Sequence, residues 1–215
     1  MSASPATRSG WDLPTRLFHW TLAVLVVFSL ATGTVGESWL DWHMKSGYAI
    51  VALLAFRIAW GFVGSGDARF ASFVRSPSAA LAYLRGLRAG KRELGTGHNP
   101  LGAWSVVAML AALALQAGTG LFSNDESSHE GPLASKVSDA MVDRMSAIHS
   151  WNQYLIFTLV ALHLAAIALY QWRLRMDVVG PMVRGTSSVR DNLVAAVLLA
   201  LAGGATYWLV AVYPR

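Results

Sequence analysis

The chain has 215 residues, 54% of them hydrophobic and 13% charged, with a net charge of +5 and a mean hydropathy of +0.44. A soluble domain carries about 25% charged residues, so the composition excludes a soluble enzyme and a disordered chain. The basic residues flank apolar segments, which is a membrane pattern and not a nucleic-acid one, despite a pI of about 9.9. There are no cysteines, which removes disulfides, thiolate metal sites and cofactors attached through cysteine.

A membrane-crossing helix needs about 20 mostly apolar residues. Five stretches qualify: 16–35, 43–63, 101–122, 148–172 and 192–212. The first does not read as a cleaved signal peptide. Its apolar part exceeds the usual length of about 7–15 residues, no small-x-small site follows it, and it carries His19 and Trp20. Twelve Lys and Arg fall on one side of the five spans and four on the other, with Arg57 inside the second span. The twelve are Arg8 and Arg16, six from Arg69 to Arg92, and four from Arg173 to Arg190. This bias places the N-terminus in the cytoplasm and the acidic 123–147 connection outside. Residues 78–89, where basic side chains alternate with Leu and Tyr, read as a short helix at the cytoplasmic headgroups. Thr32-Gly33 and Thr119-Gly120 end the first and third spans as a faint echo. Eight tryptophans, Trp60 among them, read as an interfacial belt.

Ionisable side chains inside spans are costly and mark functional candidates. His19 lies near the cytoplasmic start of span one, and His43 and His149 at the outer starts of spans two and four. His163 follows His149 by 14 residues. That step is nearly four helical turns, so the two share a face with a rise of roughly 21 Å between them. Each then has a partner at its own depth: His43 for His149, and His19 for His163. Two opposed imidazoles at each of two depths suit b-type haem, a flat apolar macrocycle whose iron takes two axial nitrogens. Zinc is less apt, because it wants about four close ligands. Gly33 and Gly47 offer room for such a face. Arg16 and Arg57, the latter 14 residues after His43, are candidates to pair with propionates in the inner leaflet. Plainer readings exist for each residue: a lone membrane His as a helix–helix hydrogen-bond donor, Arg57 snorkelling to the interface, and both glycines serving packing alone. His129 reads as a solvated loop residue. His98 either caps the third span or reaches a propionate.

These residues resemble the bacterial cytochrome b561-type family, which includes the di-haem cytochrome b subunits of membrane-bound nickel–iron hydrogenases. The resemblance begins at Trp11-Asp12-Leu13-Pro14-Thr15-Arg16-Leu17-Phe18-His19-Trp20. It continues through His43, Gly47-Tyr48, and Phe56-Arg57-Ile58-Ala59-Trp60-Gly61-Phe62. Next come Phe73-Val74-Arg75-Ser76-Pro77, Tyr83-Leu84-Arg85-Gly86 and Gly97-His98-Asn99-Pro100, and then His149 and His163. It covers about residues 11–185. The resemblance implies an all-α membrane protein, a four-helix haem-binding bundle plus a fifth transmembrane helix, with the N-terminus cytoplasmic. Residues 1–175 would form the bundle, and 176–215 a cytoplasmic connection and the fifth helix. His19 and His163 would hold the cytoplasmic-side haem, His43 and His149 the outer one.

The function implied is electron transfer across the bacterial inner membrane, between the quinone pool and a redox partner protein: a hydrogenase, a dehydrogenase or a periplasmic cytochrome c. Membrane lipid is the other expected contact. Arg173-Leu174-Arg175-Met176-Asp177 stands where the family often has a basic, Asn-rich motif. Two other functions are carried alongside. One is a stand-alone oxidoreductase such as a superoxide:quinone oxidoreductase, and the other a non-redox scaffold or haem carrier.

Overall fold

The computed structural model describes residues 10–90, 99–125 and 129–214. Among the described residues eight α-helices follow one another: α1 (Leu13–Val35), α2 (Leu40–Val63), α3 (Phe70–Phe73), α4 (Pro77–Arg88), α5 (Pro100–Gly120), α6 (Asp139–Ala168), α7 (Gly180–Val183) and α8 (Val189–Tyr207). A π turn extends α6 through Leu169–Arg173 and another extends α8 through Trp208–Val212. Among the described residues there is no strand, only an isolated bridge between Asn124 and Glu130. Five of the helices are long and apolar enough to cross a membrane. The expectations at Arg8, Lys91, Arg92, His98 and Arg215 lie outside the described residues.

Local sequence sets the helix starts. Asp12 accepts the Thr15 N–H at 2.7 Å and Pro14 follows within the first turn, so α1 begins slightly before the predicted boundary. Asn99 caps α5 by accepting from Gly102 N at 2.7 Å. Ser76 and Pro77 open α4, close to the predicted headgroup helix. Each such cap is worth about 1 kcal/mol, and proline fits the first turn because its missing N–H would be unpaired there anyway. The largest boundary difference is at α6, which starts nine residues before the predicted span, at Asp139. Those first turns are too polar to register as membrane-crossing, yet they continue one uninterrupted helix.

Helix α2 is the axis of the packing. It contributes Ile50, Leu53, Leu54, Phe56 and Trp60 to the core, against Phe18, Leu22 and Val26 of α1, Ala112 of α5, Ile156 of α6 and Ala195 of α8. The principal helix pairs are α1–α2, α5–α6, α2–α8 and α2–α5. The fifth long helix thus leans on α2. Trp60 is not a belt residue. It is 1% exposed and stacks on Phe56 with centroids 6.1 Å apart, whereas the other seven belt candidates are exposed.

The two ends of the bundle are closed differently. At one end, the α5–α6 loop folds back over the end of α5, with Gly131 N donating to Ser123 O and Leu133 N to Leu121 O. A Cβ on Gly131 would lie 2.5 Å from the Gly120 and Leu121 carbonyls, so only glycine fits there. At the other end, the segment around α7 straps the start of α1. Trp11 N donates to Pro181 O, Arg16 Nη1 to Val183 O at 2.7 Å and Trp20 Nε1 to Met182 O at 3.0 Å. We refer below to the loop end and the strap end.

Candidate functional site: two imidazole pairs

Four histidines meet as two pairs across the bundle. At the loop end, His43 of α2 and His149 of α6 have ring centroids 6.0 Å apart. At the strap end, His19 of α1 and His163 of α6 stand 6.4 Å apart. An imidazole nitrogen binds a transition metal at about 2.0 Å and the ring centroid lies about 1.1 Å behind it, so two rings sharing one metal have centroids about 6.2 Å apart. Both pairs have that spacing. Among the described residues, no group of three or more His, Cys, Asp or Glu comes together to hold a bare ion. Two nitrogens alone underfill zinc, whereas a haem brings its in-plane nitrogens and asks the protein only for the two axial positions. The residues present therefore fit a haem at each pair.

The loop-end pair is built twice from one pattern. His43 Nδ1 lies 2.9 Å from the carbonyl oxygen of Ser29, and His149 Nδ1 lies 2.9 Å from that of Gln116. A carbonyl only accepts, so each Nδ1 carries the hydrogen and each Nε2 keeps its lone pair for a ligand. Three residues after each carbonyl stands a threonine, Thr32 or Thr119. Its hydroxyl donates back into its own helix, to Phe28 and Ser29 O in one case and to Leu115 and Gln116 O in the other. Four residues after each carbonyl stands a glycine. A Cβ on Gly33 would lie 2.9 Å from His43 Nδ1, and one on Gly120 would lie 2.9 Å from His149 Cε1. The Thr-Gly echo in the sequence is therefore a repeated imidazole seat. Gly33 makes its room for the His43 ring. At Gly47 nothing lies within 4 Å of where a Cβ would be, and that residue lines a cavity of about 270 Å³ shared with both loop-end histidines.

Polar side chains brace this end further. Gln116 Nε2 donates to His149 O, and Asn152 Nδ2 donates to Gln116 Oε1 at 2.8 Å and to Ala112 O. At the cavity rim, His129 is only 23% exposed in its side chain, and it stands 3.5 Å from Asp41 and 3.4 Å from Asp125. It is a rim residue pinned between two carboxylates, where the sequence suggested a solvated one.

The strap-end pair lacks this scaffolding. Among the described residues neither His19 nor His163 has a ring hydrogen bond, and His19 Nδ1 is buried without a partner. The 14-residue step that leads from His149 to His163 leads from His43 to Arg57. Arg57 does not snorkel: it is 3% exposed, with its guanidinium 4.8 Å from the Phe70 ring and 6.0 Å from that of Phe18. Its Nη1 has no hydrogen-bond partner. Phe70 reaches this position because Gly61 has no side chain to block it. The nearby Asp12 carboxylate is committed to Thr15 N and Ser65 Oγ. Arg16 is drawn to the strap through Val183 O, and its Nε is buried and unpaired.

Also at this end, Asn99 Nδ2 donates to the Tyr170 hydroxyl, which bonds that of Tyr83 at 3.2 Å and ties α4 to α6. Burial first, and the Tyr170 bond second, push the Tyr83 phenol well above its usual range. Sequence reasoning missed Ser29, Gln116, Gly120, Thr119 and Asn152. The signals available were the Thr-Gly echo and two amide side chains inside apolar spans.

A family model described as prokaryotic cytochrome b561 matches residues 10–185. No curated protein and no solved structure matches the chain.

Proposed function

The chain belongs to the prokaryotic cytochrome b561 family, and from that premise we propose that it is a di-haem b-type cytochrome passing electrons across the bacterial inner membrane, between the quinone pool and a redox partner protein. The multi-pass membrane character and transmembrane b-type electron transfer follow from the family and the five apolar helices. The number of haems, the quinone and the partner (a hydrogenase, a dehydrogenase or a periplasmic cytochrome c) are the proposal. The observation that carries it is the meeting of four histidines as two pairs 6.0 and 6.4 Å across, spaced to share a metal.

In this reading His43 and His149 hold one haem through Nε2, and His19 and His163 hold the other. A haem held there by two histidines would supply one-electron transfer rather than oxygen chemistry. The protein's own work is positioning and exclusion. Ser29 and Gln116 carbonyls fix the tautomer of the loop-end rings. Gly33 and Gly47 leave space, and the apolar faces of α2, α5 and α6 keep water away. Arg57 and Arg16 offer positive charge to anionic groups at the strap end. By the excess of Lys and Arg, that end is cytoplasmic. Residues 1–175 form the haem-carrying unit, with 176–215 as its connection and buttress.

The reduced-minus-oxidised visible spectrum of the purified, haem-supplemented protein tests the proposal. It should show b-type bands at two haems per chain. One haem per chain, or none, overturns it.

A further inference from the structure

The connection between α2 and α5 leaves and re-enters the bundle at the strap end, because α2 finishes at Val63 and α5 begins at Pro100. Its charge is one-sided. Between Ala68 and Arg92 stand six Lys and Arg and no Asp or Glu, with Asp67 and Glu93 just outside. The connection to α8 at the same end, residues 173–191, mixes its four arginines with Asp177 and Asp191, and Arg184 lies 3.7 Å from Asp177.

Helix α4, 12 residues and about 18 Å long, is held at the height of the span ends. Trp104 Nε1, near the start of α5, donates to Arg75 O at 3.1 Å. The Tyr83 hydroxyl bonds that of Tyr170 at the end of α6, and Asn99 Nδ2 donates to Tyr170 as well. Both spans end at the membrane surface, so α4 lies in the headgroup layer and not beyond it.

The two faces of α4 differ. Ala80, Tyr83, Leu84 and Leu87 are partly covered. Ser78, Leu81, Ala82, Arg85 and Arg88 are exposed. Their spacing of i, i+3, i+4, i+7 and i+10 sets them in one stripe. Arg75, also exposed, stands just ahead of the Ser76 cap. Among the described residues none of these three arginines is in an ion pair with a carboxylate. The helix dipole accounts for Arg85 and Arg88 in the last turn, where the helix end is negative. It does not account for Arg75, which stands at the positive end. Nor does an anion in water account for Leu81, 48% exposed on the same stripe as the arginines.

We propose that the outer face of α4, with Arg75, Arg85 and Arg88, binds the headgroup phosphates of acidic phospholipids at the strap end. Guanidinium groups beside aliphatic side chains at headgroup depth match a molecule that carries phosphate and hydrocarbon together. A guanidinium also meets a phosphate through two N–H groups at once. Net charge sets the lipid class, because a zwitterionic headgroup brings its own cation to the phosphate and an acidic one does not. The inference is independent of the di-haem reading. It rests on the membrane-crossing helices and the charge of one connection.

The test uses the purified full-length holoprotein in detergent micelles holding equal amounts of phosphatidylglycerol and phosphatidylcholine with the same acyl chains. Retained lipid is counted by native mass spectrometry. Phosphatidylglycerol should be retained in clear excess, and the excess should shrink as salt is raised. Each arginine contributes about fivefold. Arg75→Gln, Arg85→Gln and Arg88→Gln combined should therefore cut the preference about 10- to 100-fold, whereas the three Lys replacements should keep most of it. Arg173→Gln, Arg175→Gln and Arg190→Gln combined remove the same charge from the neighbouring connection and should cost much less. Single replacements in α4 and at Arg75, each expected to cost about fivefold, decide the matter if the triple variant does not assemble. Equal retention of the two lipids by the wild type, equal losses in the two triple variants, or an unchanged preference without Arg75, Arg85 and Arg88 overturns the proposal. Displacement of the lipid by inorganic phosphate or polyglutamate at matched ionic strength overturns it too, since the face would then serve a free anion or a soluble acidic partner.

Discussion

The loop end and the strap end carry the same pair of side chains and treat them differently. At the loop end each imidazole is held by a peptide carbonyl one helix away and seated against a glycine. At the strap end the rings have no hydrogen bond among the described residues, and the ordering contacts run instead through Arg16, Trp20 and the α7 segment. One helix, α6, supplies a ring to each end, so the difference comes from what packs against it. The lesson is that helix spacing brings imidazoles together, whereas the partner helix decides which nitrogen is free and how firmly.

The comparison is broken most severely by removing a ring. His19→Ala or His163→Ala should cost the strap-end haem and spare the loop-end one, halving haem content to about one per chain; His43→Ala or His149→Ala should do the reverse. Haem-to-protein ratios with the spectra of the retained band check this, and loss of both haems from every variant would show the ends to be interdependent. Next in size is the glycine seat. Gly120→Ala puts a methyl 2.9 Å from the His149 ring, and such overpacking costs about 1–3 kcal/mol. The loop-end band should weaken or shift while the strap-end band holds. An unchanged loop-end band would mean that the ring has slack to move.

At the strap end, Asp12→Ala removes the α1 cap and the tie to Ser65, a loss of about 1–2 kcal/mol, read as a lower Tm in detergent. Asp12→Asn, which keeps an acceptor for Thr15 N–H, should recover much of it. Smallest is Trp20→Phe, which deletes the bond to Met182 O for about 0.5–1.5 kcal/mol. Faster amide exchange around residues 180–185, with no change at the α5–α6 loop, is the expected signature.

Much of this architecture is legible in the sequence because a membrane leaves a helix few options. Apolar runs of about 20 residues must pair their own backbone, so the five long helices are readable directly. The 14-residue step likewise places His149 and His163 on one face. What escaped was set by tertiary contact. Gln116 and Ser29 act through main-chain oxygens, and their side-chain identity does not announce it. Gly120 showed in the sequence only as half of a faint Thr-Gly echo, and the ring against it gives that echo its meaning. Trp60 sits near a span end and so passed for an interfacial residue, yet it stacks on Phe56 and is the most buried large side chain among the described residues. The polar start of α6 escaped because hydropathy reports what lipid will accept, not where a helix begins. His129 was misjudged for a related reason: loop composition is silent about which carboxylates the chain will fold beside it.

The carbonyl anchors at Ser29 and Gln116 have a consequence for how this protein tolerates change. A peptide oxygen is the same at every residue, so no single codon substitution deletes it. Ser29→Ala should leave the His43 tautomer intact, and the two adjoining glycines become the vulnerable points. At this end, mutational robustness resides in the backbone path itself, and fragility in the two places where the path needs an absent methyl group.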